Sequence, residues 1–328
     1  MSTAPTRRMV AVMVLVPVVV ALALWAFAWP AARIAPRDLP IGVAGPAAAA
    51  TELEHRFEQR AGAFDVHRYD DEAAARAAVE DRVVYGAVVA TPEGPRLLTA
   101  SAASPVVAQL LKEAVTTQAP AGTAVPVTDV APTPSGDPRG SALAASVLPL
   151  ALAGVAAGAM VTLLRLRGTR AAVALVATAA LVGITAVTLA GSWLGVLTGD
   201  WWAEAGVLAL TALAISATVA GFGALMGTRG IAVGALLMVL IGNPFAGAAT
   251  APELLPEPAG AIGQWLPPGA GATALRSVAY FDGSGAGAEL LTLSVWAALG
   301  LTAVLLGGRR AERPAAPESA QAAPVPVG

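Results

Sequence analysis

The chain has 328 residues, of which 56% are hydrophobic and 13% charged, about half the roughly 25% charge of an ordinary soluble domain, so a single water-soluble fold is excluded. Its 34 Gly and 25 Pro follow no collagen period, and the apolar content is the reverse of a disordered composition. A net charge of −2, with no recognisable nucleic-acid-binding motif, argues against nucleic acid as a partner, and a chain without cysteine has neither thiolate catalysis nor Cys-ligated zinc.

Arg7 and Arg8 precede the first apolar run, 9–29, which is long enough to cross a hydrocarbon core of about 30 Å. It exceeds the apolar region of a signal peptide, about 7 to 15 residues, and is expected to stay as an anchor; Pro17 is tolerated in a spanning helix. Residues 1–29 are therefore a cytoplasmic N-terminus and a first transmembrane helix.

Residues 30–142 carry most of the charge and alternate strand-like with helix-like patterns. A strand is expected at 39–45, a helix at 48–61 and a strand at 64–69. Asp70 or Asp71 can cap an Ala-rich helix ending near Arg82. Strands at 83–90 and 96–100 flank the turn Pro92-Glu93-Gly94-Pro95. Ser104-Pro105 opens a helix to about Gln118, 124–130 offers a last strand, and the Pro/Gly/Ser-rich stretch 131–140 is a linker. This length suits one compact α/β domain.

Five more apolar runs follow, at 143–164, 171–192, 204–226, 230–249 and 289–307, within a membrane domain of 143–308. Arg165, Arg167 and Arg170 lie between the second and third runs, Arg229 between the fourth and fifth, and Arg309, Arg310 and Arg313 after the sixth. These segments share one side with Arg7 and Arg8, so both termini are cytoplasmic and 30–142 is extracytoplasmic. The opposite loops carry Asp200, Glu204, Glu253, Glu257, Asp282 and Glu289 against Arg276 alone, and Trp25, Trp29, Trp193, Trp201, Trp202 and Trp265 fall near the outer ends, as an interfacial belt would. The fold class is thus membrane all-α: six transmembrane helices with a small extracytoplasmic α/β domain between the first two, and a disordered cytoplasmic tail at 309–328. A lone lysine, Lys112, among 20 basic residues points to a high-GC bacterium.

Catalytic chemistry is not visible. His67 with Asp70, Asp71 and Glu72, and His55 with Glu52 and Glu58, lack a ligand-spaced second half and are better explained as a helix start and a solvated face. There is no catalytic elbow, metalloprotease motif or phosphate-binding loop, so no cofactor or metal is expected and ATP hydrolysis would come from another chain. The span interiors hold no ionisable residue, which argues against a proton-driven exporter built on buried acids. Glycines four apart, such as Gly154 and Gly158, permit close helix packing but specify no particular dimer face. The loop 250–288 follows Asn243-Pro244 and contains an apolar stretch at 261–272 that is too short to span, then a helical run at 272–281. It reads as a re-entrant hairpin, broken by Pro267-Pro268-Gly269 and anchored at the interface by Trp265, with Arg276 at the headgroup boundary.

The segments 39–45 (Leu-Pro-Ile-Gly-Val-Ala-Gly), 98–104 (Leu-Thr-Ala-Ser-Ala-Ala-Ser), Asn243-Pro244-Phe245 and Trp265-Leu266-Pro267-Pro268-Gly269, with the topology, resemble the ABC-2 type permeases and, within them, the YhgE/Pip-like branch. That resemblance implies the permease subunit of an ATP-driven exporter in the cell membrane, powered by an ABC ATPase in trans. It also implies a homodimer, or a heterodimer with a second permease, and outer re-entrant helices between the last two spans. Asn243, Pro244, Trp265, Pro267, Pro268, Gly269 and Arg276 are then candidates for an outer gate, and Arg165, Arg167 and Arg170 for the ATPase contact. An uncharged span interior suits an amphipathic or lipid-like substrate. The alternative is a non-transporting envelope protein whose outer domain is a docking module, of the phage-infection or secretion-accessory type.

Overall fold

A computed structural model describes residues 4–118 and 125–311. Each long apolar run is helical, because a run without water must satisfy its N–H and C=O groups internally. Among the described residues five helices are long and apolar enough to cross a membrane. They are α1 (Ala4–Ala31), α5 (Ser141–Leu163), α6 (Gly168–Val187, prolonged by π-helical geometry over Thr188–Trp193), α7 (Trp201–Met226) and α11 (Gly287–Ala311). The last continues to Ala311, so the expected tail loses its first residues to the helix; 312–328 lie outside the described residues.

The run expected as the fifth of six spans is shorter. Its helix α8 (Thr228–Ala235) widens into π-helical geometry over Leu236–Gly242 and stops before Asn243-Pro244. Proline has no N–H to donate and disfavours helical geometry in the residue before it. At 1.5 Å per residue the helical part rises about 22 Å, less than a hydrocarbon core of about 30 Å. Beyond Gly242 the chain continues as irregular backbone.

Between α1 and α5 lies an α/β unit of β1 (Leu39–Ala44), α2 (Ala47–Glu58), β2 (Phe64–Tyr69), α3 (Glu72–Glu80), β3 (Gly86–Thr91), β4 (Gly94–Thr99), α4 (Pro105–Gln118) and β5 (Val127–Asp129). The strands form one sheet in the order β2-β1-β3-β4-β5, with β1 parallel to β2 and β3, and β4 antiparallel to β3. Of the two aspartates that could cap α3, Asp71 does so, its carboxylate accepting from the Ala74 amide at 2.8 Å. Ser104 caps α4 through the Val107 amide at 3.2 Å. Ile41, Val43, Phe57, Leu97 and Leu111 build one core face under α2 and α4, and Ala44, Val79, Val89 and Leu98 the other under α3. Neither core is closed by the unit alone: Ala251 and Leu254 enter the first and Phe281 the second. The unit is seated on the segment between α8 and α11.

Helix α7 is the axis of the bundle. Buried residues make up 72% of its apolar window, against 6% for α1, and it packs on α5, α6, α8, α10 (Pro267–Tyr280) and α11. Small residues set those distances. A Cβ on Gly158 would stand 2.4 Å from the Ser216 carbonyl oxygen, one on Gly183 2.5 Å from that of Ala205, and one on Gly300 2.4 Å from the Ala217 carbonyl carbon. In the chain as it stands, the Gly154/Gly158 pair meets α7 rather than an outer face, the close approach that small residues allow where lipid supplies no hydrophobic drive between helices.

Candidate functional site

The broken span sets the site. After Gly242 the backbone runs irregularly through Asn243, Pro244 and on to Thr250, and backbone at membrane depth is tolerated only where protein satisfies its polar groups. Gln264 Nε2 donates to the Ala246 carbonyl at 3.0 Å and Arg276 Nη2 to that of Ala248 at 2.8 Å. Thr273 Oγ1 in turn donates to Gln264 Oε1 at 2.8 Å, which orients the amide. Phe245, 5% exposed, meets the rings of Trp25 and Trp29 edge-on at 6.4 and 6.2 Å. Asn243 and Pro244 line a cavity of about 230 Å³ with Phe27 and Pro30 of α1 and Val147 of α5.

The donors come from a helical hairpin, α9 (Ala259–Gln264) and α10. The sequence suggested a break at Pro267-Pro268-Gly269 with a helix only from 272. Instead the two prolines form the buried first turn of α10, where an N–H is not needed and the fixed φ favours a helix. The elbow is Trp265-Leu266. Helix α10 lies along the first half of α7: at one end the Gly199 backbone abuts Val278, and at the other Gly271 abuts Thr211, ten residues into α7, or about 15 Å. Trp296 Nε1 donates to the Trp265 carbonyl at 2.7 Å from nine residues into α11. The elbow therefore lies beside the middle of α7 and α11, more than about a dozen ångströms in from the ends nearest the α/β unit. Trp265, expected as an interfacial anchor, sits at this elbow and is 75% exposed. Arg276, expected at the headgroup boundary, is 5% exposed and turned inward.

Above the hairpin the α/β unit is fastened by polar side chains that sequence reasoning did not single out. Arg82, at a left-handed turn (φ 60°) after α3, donates to the Thr273 carbonyl at 3.2 Å and to Ser277 Oγ, and its guanidinium lies 5.3 Å from the centre of the Phe281 ring. Tyr85 donates to Glu253 Oε2 at 2.8 Å. Burial, and then the neighbouring Glu253 carboxylate, push the Tyr85 hydroxyl far above the usual tyrosine range, and burial pulls Arg82 below the usual arginine value. Arg82, Tyr85, Glu253, Gln264, Thr273 and Glu289 line a cavity of about 200 Å³. No local pattern marks these residues, because each partner lies far away in sequence. Glu204, which the charge count placed among loop acids, is 1% exposed and accepts from the Gly199 amide at 2.8 Å.

At the opposite end of the bundle, Arg165 and Arg167 line a cavity of about 270 Å³ with Thr162, Gly223, Gly227 and Gly307. The structure brings these two arginines together over the ends of α5, α7 and α11. Arg170 lies in the first turn of α6, exposed and outside that lining.

A broken apolar helix with a hairpin packed against its break is a feature of transport proteins, and the family comparison agrees. A model described as ABC-2 family transporter protein matches residues 7–308. The chain belongs to this family. Its ABC-2 membership and its apolar helices make it a multi-pass membrane protein, and permeases of this family usually work with an ABC ATPase in trans. No curated protein and no solved structure matches the chain significantly. Within the ABC-2 frame, the match spans the α/β unit as well as the helices, so the unit seated on the hairpin falls inside the matched region.

Proposed function

We propose that this chain is the permease subunit of an ATP-driven exporter of the YhgE/Pip-like branch, working as a homodimer or with a second permease. ATP hydrolysis belongs to the partner ATPase, which docks on Arg165, Arg167 and Arg170; the chain itself is not an enzyme. One observation carries the reading: an interrupted helix and a hairpin meet halfway through the bundle, their irregular backbone satisfied by Gln264 and Arg276, as discontinuous helices do beside a substrate path. The positive-inside bias puts the arginine cavity and both termini in the cytoplasm and the α/β unit outside the cell membrane, and a single lysine among 20 basic residues favours a high-GC bacterium. Asn243, Pro244, Trp265, Pro267, Pro268, Gly269 and Arg276 then form the outer gate, for a substrate of amphipathic or lipid-like character.

The test is copurification in mild detergent. An ATPase should be retained by the wild type and lost on Arg165→Glu with Arg167→Glu, while insertion is unchanged. Stoichiometric retention by that variant overturns the docking site, and activity in vesicles with a proton gradient and no nucleotide overturns the ATP-driven reading. A docking role for the α/β unit is favoured by one feature, an open cavity of about 240 Å³ floored by Leu53, Phe57, Val88 and Val115 with Glu52 and Arg56 at its rim. A peptide or protein ligand bound there, with no ATPase ever retained, would establish that second reading.

A further inference from the structure

Helices α5 and α6 are joined tightly at the arginine end by the 164–167 turn, and each packs on α7. Toward the α/β end they part. The groove between them has a volume of about 660 Å³, within the roughly 300–1,000 Å³ range of ligand sites. Along α5 it runs from Ala142 to Ala153 and along α6 from Thr178 to Ala190. Leu208 of α7 and Leu275 of α10 also line it, and the turn after the π-helical end of α6 closes one end with Leu194, Val196 and Leu197.

We propose that this groove binds one acyl chain of a lipid from the leaflet on the α/β side. Three observations select that occupant. The groove covers twelve residues of one wall and thirteen of the other, about 17 Å from first to last at 1.5 Å per residue, close to half of a core of about 30 Å; it holds a chain of one leaflet but not a spanning helix of a second copy. Its lining is apolar apart from the hydroxyls of Ser146, Thr178 and Thr185, and Ser146 already donates to the Ala142 carbonyl at 2.7 Å, so a ligand rich in polar groups would bury most of them without partners. Trp193, 76% exposed, ends α6 next to the turn that closes the groove, as side chains at the headgroup level do. Leu275 makes the hairpin part of the wall, so the bound chain touches the element assigned to the gate. The site requires only that α5 and α6 stand in a bilayer, and binding needs neither ATPase nor transport.

The full chain is reconstituted in phosphatidylcholine vesicles doped with a phosphatidylcholine bearing a photoactivatable acyl chain, irradiated, and its adducts mapped by mass spectrometry. Adducts at 146–153 and 178–190 should saturate and fall when excess unlabelled lysophosphatidylcholine is added to the wild type. Adducts at the exposed Val173 and Leu291 should fall only in proportion to dilution. Ala153→Phe and Ala186→Phe, which fill the groove, should bring its adducts down to the level of those controls. Groove adducts that track the controls in the wild type overturn the site and leave annular lipid only. Disulfide formation between copies of Leu181→Cys, with no adduct in the groove, overturns it in favour of a second copy. Failure of these measurements leaves the ATPase test above untouched, and failure of that test leaves acyl binding standing.

Discussion

The Tyr85–Glu253 hydrogen bond ties the α/β unit to the hairpin segment, and a bond to a carboxylate is worth about 1.5–3 kcal/mol. Tyr85→Phe should lower unfolding stability by that order and raise hydrogen exchange at 251–255, with unchanged secondary structure. Because the Tyr85 hydroxyl is held far above its ordinary value by burial, its contribution is complete below the usual tyrosine pKa of about 10. It is lost as pH rises further, since the unfolded chain ionises before the folded one. Wild-type stability should therefore fall above about pH 10 with an extra slope of up to about 1.4 kcal/mol per pH unit that Tyr85→Phe lacks; equal slopes would show a solvated hydroxyl. Glu204 is a second buried group with one task, accepting from Gly199. Glu204→Gln keeps an acceptor and should be nearly neutral, whereas Glu204→Ala leaves the half-buried Gly199 amide without its acceptor and should cost about 1 kcal/mol. A loss of export on Glu204→Gln would instead make the proton matter.

Among elements, α7 depends on glycines opposite it. Gly158→Ala would press a methyl group against the Ser216 carbonyl oxygen, at 2.4 Å, and should destabilise by about 1–3 kcal/mol through overpacking. Gly206 on α7 itself faces open space, so Gly206→Ala should be neutral or gain up to about 1 kcal/mol from helix propensity. Thermal unfolding of the two variants in one detergent compares them directly, and equal effects would contradict the packing. The hairpin gives the complementary case. Pro267 and Pro268 start α10 and Pro268 lies against Gly242 at the end of the broken span. Replacing both by Ala frees the elbow and should alter export severalfold while insertion and dimerisation persist; unchanged export would reduce the hairpin to a structural support.

For the whole molecule the proposed sidedness is testable with single cysteines, since the chain has none. Ser135, Asp282 and Thr169 are all exposed. In intact cells an impermeant thiol reagent should label Ser135→Cys and Asp282→Cys but not Thr169→Cys; the reverse pattern would invert the topology. Thr250, at 9% exposed, is a poor probe although it lies in the same loop. The α/β unit and the hairpin share cores through Ala251, Leu254 and Phe281. They should therefore lose protection together in hydrogen exchange, while the α5–α7 contacts at the arginine end hold.

Local chemistry determined much of this protein. Length and apolarity made the long helices, Asp71 and Ser104 capped α3 and α4, and alternation marked the strands of the α/β unit, because these signals act within a few residues. The ABC-2 likeness was legible too, from short segments and topology, and the family match over 7–308 agrees with it. The break at Asn243-Pro244 was also visible, but the course of the backbone beyond it was not, since a proline ends a helix without saying where the freed carbonyls find donors. Gln264 and Arg276 supply those donors, and Arg276 looked like a headgroup charge because composition sees a charge but not its partner. Pro267-Pro268 looked like a break because two prolines end one helix as readily as they begin another, and packing against Gly242 decided between them. Strand order, the seat of the α/β unit on the hairpin and the groove between α5 and α6 came only from tertiary structure. Each is set by contacts between residues far apart in the chain, which carry no local sequence signal.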